Sequence, residues 1–226
     1  MNKNQFSVII RTRNEERWVG HTIQSVLDNL FRPEIIIIDD SSTDCTIEIA
    51  KRFQSNPNLN DKSSPNYTDI KIHTINDYTP GKAINMGVKL SSNLNLMVIS
   101  SHCVINKFNE SKVINDLDNY SAIFGKQIPI MDGKKITKRY IWEHFGDKEV
   151  VNMFSKMENR FFFHNAFAFY KKEILTKFKF DEYLSGKEDR YWAADIVKNN
   201  LEYLYDPSII VSHHYTQNGN TWKGNG

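Results

Sequence analysis

At 226 residues, with 40% hydrophobic and 25% charged side chains, the chain can bury a sizeable core and reads as globular. A formal net charge of +2 is too small for a nucleic-acid binder, which carries a basic stripe. No apolar run approaches the roughly 20 residues needed to span a bilayer, although a peripheral membrane contact stays open. Two cysteines, Cys45 and Cys103, make no disulfide framework, so a reducing cytoplasm is the expected compartment. Residues 1–5 run straight into a strand with no apolar signal region.

Phe6-Ser7-Val8-Ile9-Ile10 predicts a first strand, ending in Arg11-Thr12-Arg13-Asn14-Glu15-Glu16. Val19, Ile23, Val26, Leu27 and Leu30 then recur at helical spacing, with Glu15 and Glu16 expected in the first turn of that helix. Two arginines at the end of a buried strand must face an anion or water, which leaves a phosphate partner and a surface salt bridge as readings. Glu34 is followed by four isoleucines, Ile35 to Ile38, and then by Asp39-Asp40-Ser41-Ser42-Thr43-Asp44. The apolar run reads as a strand buried on both faces, and its end delivers two carboxylates where open α/β sheets bind ligands. Thr43 or Asp44 can cap the next helix, through Ile47, Ala50 and Phe53.

Residues 54–69 read as a surface loop, and Ile70 to Ile75 as a third strand with His73 on its polar face. Pro80-Gly81 opens a helix whose small residues permit close packing or ligand approach. Leu94 to Ile99 predicts another buried strand, ending in Ser100-Ser101-His102-Cys103. A surface helix is expected over 111–120 and a strand over 121–128. Residues 131–159, with Lys134, Lys135, Lys138, Arg139, Tyr140, Trp142 and His144, read either as a solvated face or as a mobile loop over a cleft. A short strand at 166–170 and a helix at 171–178 precede Gly186-Lys187-Glu188-Asp189, where two carboxylates meet a helix N-terminus. Residues 201–205 and 209–211 predict a closing pair of strands around Asp206-Pro207. Alternation along a strand lets at most one of His213 and His214 reach a common site.

In order and spacing, these residues resemble family 2 glycosyltransferases of the GT-A fold. Val8 to Glu16 looks like the family's first strand and Asn-Glu turn, and Ile35 to Thr46 like its second strand followed by DDGSTDGT. Pro80 to Gly87 is similar to its G-x-A-x-N-x-G helix. Glu188-Asp189 with Trp192-Ala193, Tyr205-Asp206-Pro207 and His213-His214 match its acceptor half. The resemblance covers nearly the whole chain except 54–69 and 131–159. It implies a single GT-A domain, Rossmann-like and doubly wound with a mostly parallel sheet and a smaller acceptor-side subdomain. Residues 1–105 would form the nucleotide-binding half and 106–226 the acceptor-binding half.

The resemblance also implies an inverting transfer from a nucleotide-sugar donor to a glycan or lipid-linked hydroxyl acceptor, in the cytoplasm or at the inner face of the membrane. Thr12, Arg13, Glu15, Asp39, Asp40, Lys82, Asn85 and Ser101 would serve the donor, and Asp189, beside Glu188, would be the general base. The family's usual Asp-x-Asp is replaced by Ser100-Ser101-His102. The Ser101-His102-Cys103 string instead resembles the metal strand of polypeptide N-acetylgalactosaminyltransferases, which implies His102 as a ligand with His213 or His214 as the second. A divalent cation, Mn2+ or Mg2+, and a cation-independent site in which Arg11, Arg13 or Lys82 neutralise the phosphates are both open. Two other classes compete. A nucleotidyltransferase would want a glycine-rich loop after the first strand, which Arg11 to Glu15 lacks. A binding module that has lost catalysis would not need Glu188-Asp189 except as a cap.

Overall fold

The computed structural model describes residues 6–135 and 140–223. Lys138 and Arg139, with the extreme termini, lie outside the described residues.

The isoleucine run forms β2 (Glu34–Asp39), next to β1 (Phe6–Thr12). Its side chains alternate into two separate cores. Ile36 and Ile38 join one face of the sheet, and Ile35 and Ile37 the other, all fully buried. At roughly 2 kcal/mol of transfer free energy for each buried isoleucine, this strand fixes its own register strongly. The helices α1 (Val19–Asn29) and α2 (Thr46–Gln54) cover the Ile35 face, and α4 (Pro80–Leu90) covers the Ile36 face. Short α3 (Pro57–Asn60), capped by Asn56, interrupts the expected loop before β3 (Asp69–Thr74).

Strand β4 (Asn95–Ser100) lies on the other side of β1. It is followed by β5 (Cys103–Lys107), α5 (Glu110–Asp116), β6 (Ala122–Met131) and β7 (Lys134–Lys135). A 3-10 turn at Tyr140–His144 leads into β8 (Val150–Val151) and a small hairpin of β9 (Phe154–Ser155) and β10 (Arg160–Phe161). The chain continues through β11 (Phe167–Lys171), α6 (Lys172–Lys177), α7 (Glu188–Lys198), β12 (Tyr203–His214) and α8 (Asn220–Lys223). Among the described residues the main sheet runs β3-β2-β1-β4-β11-β6-β12-β5, with β7 and β8 attached at its side. It is parallel from β3 to β4. Beyond that β11 runs antiparallel to both neighbours, and β12 runs parallel to β6.

Three expectations are corrected. Residues 201–211 are not a pair of strands. From Tyr203 on they belong to the single strand β12, which absorbs Pro207 in an irregularity between Asp206 and Ile210. A bulge lets proline skip a ladder bond without ending the strand. Residues 131–159 are not a wholly solvated face, because Ile141, Trp142, Phe145 and Met153 are buried in the core. Glu15 and Glu16 precede α1 rather than forming its first turn. The Glu16 carboxylate instead accepts the Cys45 N–H at the start of α2, where Asp44 accepts the Thr46 N–H.

A Cβ on Gly81 would lie 2.3 Å from the Asp181 carbonyl oxygen. Gly→Ala inside a helix ordinarily gains about 1 kcal/mol, but Gly81→Ala should instead lose roughly 1–3 kcal/mol in urea unfolding. At the opposite end of the sheet, Glu34 is buried and accepts hydrogen bonds from Ser7 Oγ, Lys71 Nζ and the Ser92 N–H. Burial works against its charge, yet these donors outweigh burial and hold the carboxyl below its usual range. The folded value lies under the unfolded one, so this stabilisation is complete above about pH 4.3. It is lost as pH falls through the folded value. Glu34→Gln should flatten that acid limb of a stability–pH curve and cost roughly 1–3 kcal/mol at pH 7.

Candidate active site

A cleft of about 460 Å³ opens at the carboxyl ends of β1 and β4, against the first turn of α7. From β1 come Arg11 and Thr12, followed by Arg13, Asn14 and Glu15. Thr12 is buried, and among the described residues its Oγ1 has no hydrogen-bond partner. Arg13 is exposed and pairs with Asp40 at 2.8 Å on the rim. Asn14 takes a left-handed conformation (φ 50°), and its side chain accepts the Thr43 N–H, tying the two strand-end loops together.

The two aspartates after β2 part company. Asp40 lines the cleft, whereas Asp39 is buried and its carboxylate accepts the Ser42 N–H and hydroxyl at 3.0 and 2.5 Å, closing its own turn. Lys82 and Asn85 also lie outside the cleft lining. Lys82 Nζ reaches the carbonyls of Asn76 and Asp77 at 3.3 Å each. The Asn85 amide donates to the Phe180 carbonyl and accepts the Phe180 N–H, bracing α4 against that segment.

Ser101 and His102 follow β4 into the cleft. His102 Nδ1 is 3.1 Å from the buried carboxylate of Glu15, and its Nε2 is 3.1 Å from Nε2 of His213. His213 is buried at the end of β12, opposite Cys103 of β5. Burial, then the neighbouring imidazoles, push His213 well below the usual histidine range. His214 points the other way and stacks on Trp18 with ring centroids 3.9 Å apart, so one histidine of the pair reaches the site. Among the described residues no group of three or more His, Cys, Asp or Glu converges as a metal cage.

Facing them, α7 begins from Lys187, which is left-handed at φ 63°. Glu188 and Asp189 are both buried. Arg190 Nη1 donates to both oxygens of Asp189 at 2.9 Å, and the Asn165 N–H donates to one of them at 3.2 Å. Burial opposes the charge on Asp189, but Arg190, His164 and the Asn165 N–H together outweigh it and hold the carboxyl below its usual value. Glu188 is pushed the other way by burial and by Asp189, against the pull of Arg11 at 3.4 Å. Two adjacent carboxyls driven apart in this way can divide acid and base roles. Capping alone would not require both to be buried.

Gln127, His164, Asn165 and Arg190 were not singled out from the sequence. Gln127, His164 and Asn165 act through partners distant along the chain, and the local signal is weak: Arg190 simply follows the acidic pair that it holds, and Gln127 lies inside an apolar strand.

The comparisons with known proteins agree with this fold. Residues 7–178 match the Glycosyl transferase family 2 profile. The O-antigen chain rhamnosyltransferase WbaN of Salmonella anatum is 23% identical over 93% of this chain and 67% of its own length. The poly(ribitol-phosphate) beta-N-acetylglucosaminyltransferase TarS of Staphylococcus aureus is 30% identical over 46% of this chain, but over only 17% of its own. The structure of S. aureus TarS 1-349 in complex with UDP-GlcNAc superposes with a TM-score of 0.70 at 20% identity, covering 95% of this chain and 60% of that one. GalNAc-T7 with UDP, GalNAc and Mn2+ gives a TM-score of 0.71 at 16% identity, over 96% and 45%. These superpositions establish the GT-A-like fold, and the family match extends over both β1 and β2 and up to α6. By that match, the chain belongs to glycosyltransferase family 2.

Proposed function

We propose that the chain is the transfer domain of an inverting glycosyltransferase, which moves a sugar from a nucleotide-sugar donor to a hydroxyl acceptor in surface polysaccharide or glycoconjugate synthesis. The observation that carries this reading is that Glu188, Asp189 and His102 line one cleft, with His213 buried 3.1 Å behind His102. Residues 1–105 supply most of the donor side and 106–226 the acceptor side, with His213 crossing over. Thr12, Arg13 and Asp40 hold the nucleoside end, with Glu15 and Ser101 deeper in the cleft. Asp39, Lys82 and Asn85 support these loops from behind.

In the transfer step the acceptor oxygen attacks the anomeric carbon while its proton passes to the Asp189 carboxylate. The bond from that carbon to the diphosphate oxygen breaks, and its electron pair departs with the diphosphate. Asp189 suits the base role because it is kept ionised and aimed by Arg190 and the Asn165 N–H. Glu188 holds Arg11 and the Asn165 amide, and so positions the strut that holds Asp189.

The likeness of Ser101-His102-Cys103 to the polypeptide N-acetylgalactosaminyltransferase metal strand supports a cation at His102 and His213. The spacing supports it too. Metal–imidazole bonds of about 2.1 Å meeting near a right angle separate the two nitrogens by about 3 Å, close to the 3.1 Å found here. His214 has no part in that pair. A divalent cation such as Mn2+ or Mg2+ held there supplies electrostatic stabilisation of the departing diphosphate. No helix among the described residues is long and apolar enough to cross a membrane. The proposed reaction takes place in the cytoplasm, at the inner membrane face where the acceptor is lipid-linked.

A thermal-shift series with uridine, guanosine, cytidine and thymidine diphosphates, with and without Mn2+, tests the donor site. One diphosphate at 100 times its Kd should add about 2.7 kcal/mol of stability, and no shift with any of them would refute the reading. Asp189→Asn should retain that shift while transfer or donor hydrolysis falls by about 10²–10⁴. Full activity in this variant would remove Asp189 from the base role. His102→Ala should abolish the extra stabilisation that Mn2+ contributes in the presence of diphosphate.

A further inference from the structure

The side chain of His213 is fixed by a chain of hydrogen bonds that begins at a group with no freedom to change roles. The backbone N–H of Ala166 donates to His164 Nδ1 at 3.2 Å. A backbone amide can only donate, so Nδ1 of His164 is a lone pair and its proton sits on Nε2, which donates to Thr221 Oγ1 at 3.2 Å. The amide of Gln127 lies 2.9 Å from the same Nδ1, so the group it presents there is its NH₂. Its oxygen is thereby turned to His213 Nδ1, 2.7 Å away. An amide oxygen accepts only, so His213 carries its proton on Nδ1 and presents an Nε2 lone pair to His102.

His102 is constrained in the same sense, because Nδ1 faces the Glu15 carboxylate and donates to it. Two imidazole nitrogens therefore point at one another across 3.1 Å in a buried wall, and the space between them calls for an electropositive centre, a proton or a divalent cation. We infer that Gln127, with its orientation set by His164 and the Ala166 N–H, is a positioning residue that locks His213 in the Nδ1–H tautomer and so prepares the pair to bind a divalent cation. The acceptor on the far ring nitrogen is what gives a ligating histidine its orientation and basicity. All the members are buried: Gln127, His164 and His213 are each no more than 4% exposed. Water is thus poorly placed to substitute for any link.

This inference rests on the proposed function for the role of the cation, but the tautomer can be read without any metal. Long-range ¹H–¹⁵N correlation spectra of the histidine-labelled protein should show His213 protonated at Nδ1 with a bare Nε2, and His164 protonated at Nε2. Gln127→Leu should move His213 toward the Nε2–H form, with donation to His102. Gln127→Glu retains an acceptor and should keep the wild-type tautomer. Titration with Mn2+ followed by electron paramagnetic resonance should then show affinity reduced about 10–100-fold in Gln127→Leu and largely rescued in Gln127→Glu. A wild-type His213 protonated at Nε2 would overturn the inference, as would unchanged tautomer and Mn2+ affinity in Gln127→Leu. Absence of Mn2+ binding by the wild type would overturn the cation-binding part. Uridine diphosphate binding, followed by thermal shift in the same preparations, separates these failures from a failure of the donor-binding proposal.

Discussion

Four charged side chains share one dry wall of the cleft, and the remainder of the site is arranged around keeping them paired. Arg11 and Arg190 contribute two positive charges, and Glu188 and Asp189 up to two negative ones, with Arg190 only 1% exposed. Burying an ion costs several kcal/mol, and removing one partner from such a set typically costs 3–5 kcal/mol because the other is stranded. Asn165 joins the two carboxylates, through its N–H to Asp189 and its side-chain amide to Glu188, and Tyr170 donates to that amide's oxygen. The wall is therefore one unit, and a change at any member alters where Asp189 points.

The direction of two strands brings these groups together. Since β11 runs antiparallel to β4, the residues just before it, His164 to Ala166, arrive beside the carboxyl end of β4, where the Ser100 N–H donates to the Ala166 carbonyl. Had β11 run parallel, its preceding residues would lie at the opposite edge of the sheet. Since β12 runs parallel to β6 and antiparallel to β5, its last residues return to the turn that carries His102. The His214 N–H donates to the His102 carbonyl, which fixes the register so that His213, not His214, faces inward. A slip of one residue would exchange them.

The parts legible in the sequence are those encoded locally. Ile35 to Ile38 form the predicted strand, the helix opening at Pro80-Gly81 is present, and Glu188 begins α7. His102 and Asp40 reach the cleft as their strand-end positions suggest. What is not encoded locally depends on distant partners. Pro207 resembles a strand end unless the neighbouring β6 can accommodate a bulge, and the Trp142 region looks solvated until β12 and α8 supply the rings it packs against. Lys82 and Asn85 lie in a well-recognised motif, but their partners, the 76–77 carbonyls and Phe180, are set by how α4 packs. Gln127 is invisible for the same reason: its role depends on two histidines 37 and 86 positions away.

The distribution of charge also bears on how the proposed reaction would neutralise a departing diphosphate. Arg11 is occupied by Glu188, Arg13 by Asp40, and Lys82 by the carbonyls of Asn76 and Asp77. Burial and the nearby Arg190 push His164 down to about 3, and burial, then the neighbouring imidazoles, push His213 well below the usual histidine range. His213, with Nδ1 held by Gln127, thus offers a lone pair at Nε2 rather than a charge. A leaving group that gains negative charge in the transition state would find arginines already paired with carboxylates, and a His213 whose Nε2 lone pair faces His102. Neutral imidazoles with their far nitrogens anchored suit metal ligation better than direct pairing with phosphate. The balance therefore favours the cation-assisted form of the proposed reaction, with His102 and His213 as its protein ligands and the carboxylate that the family usually supplies replaced by Ser100.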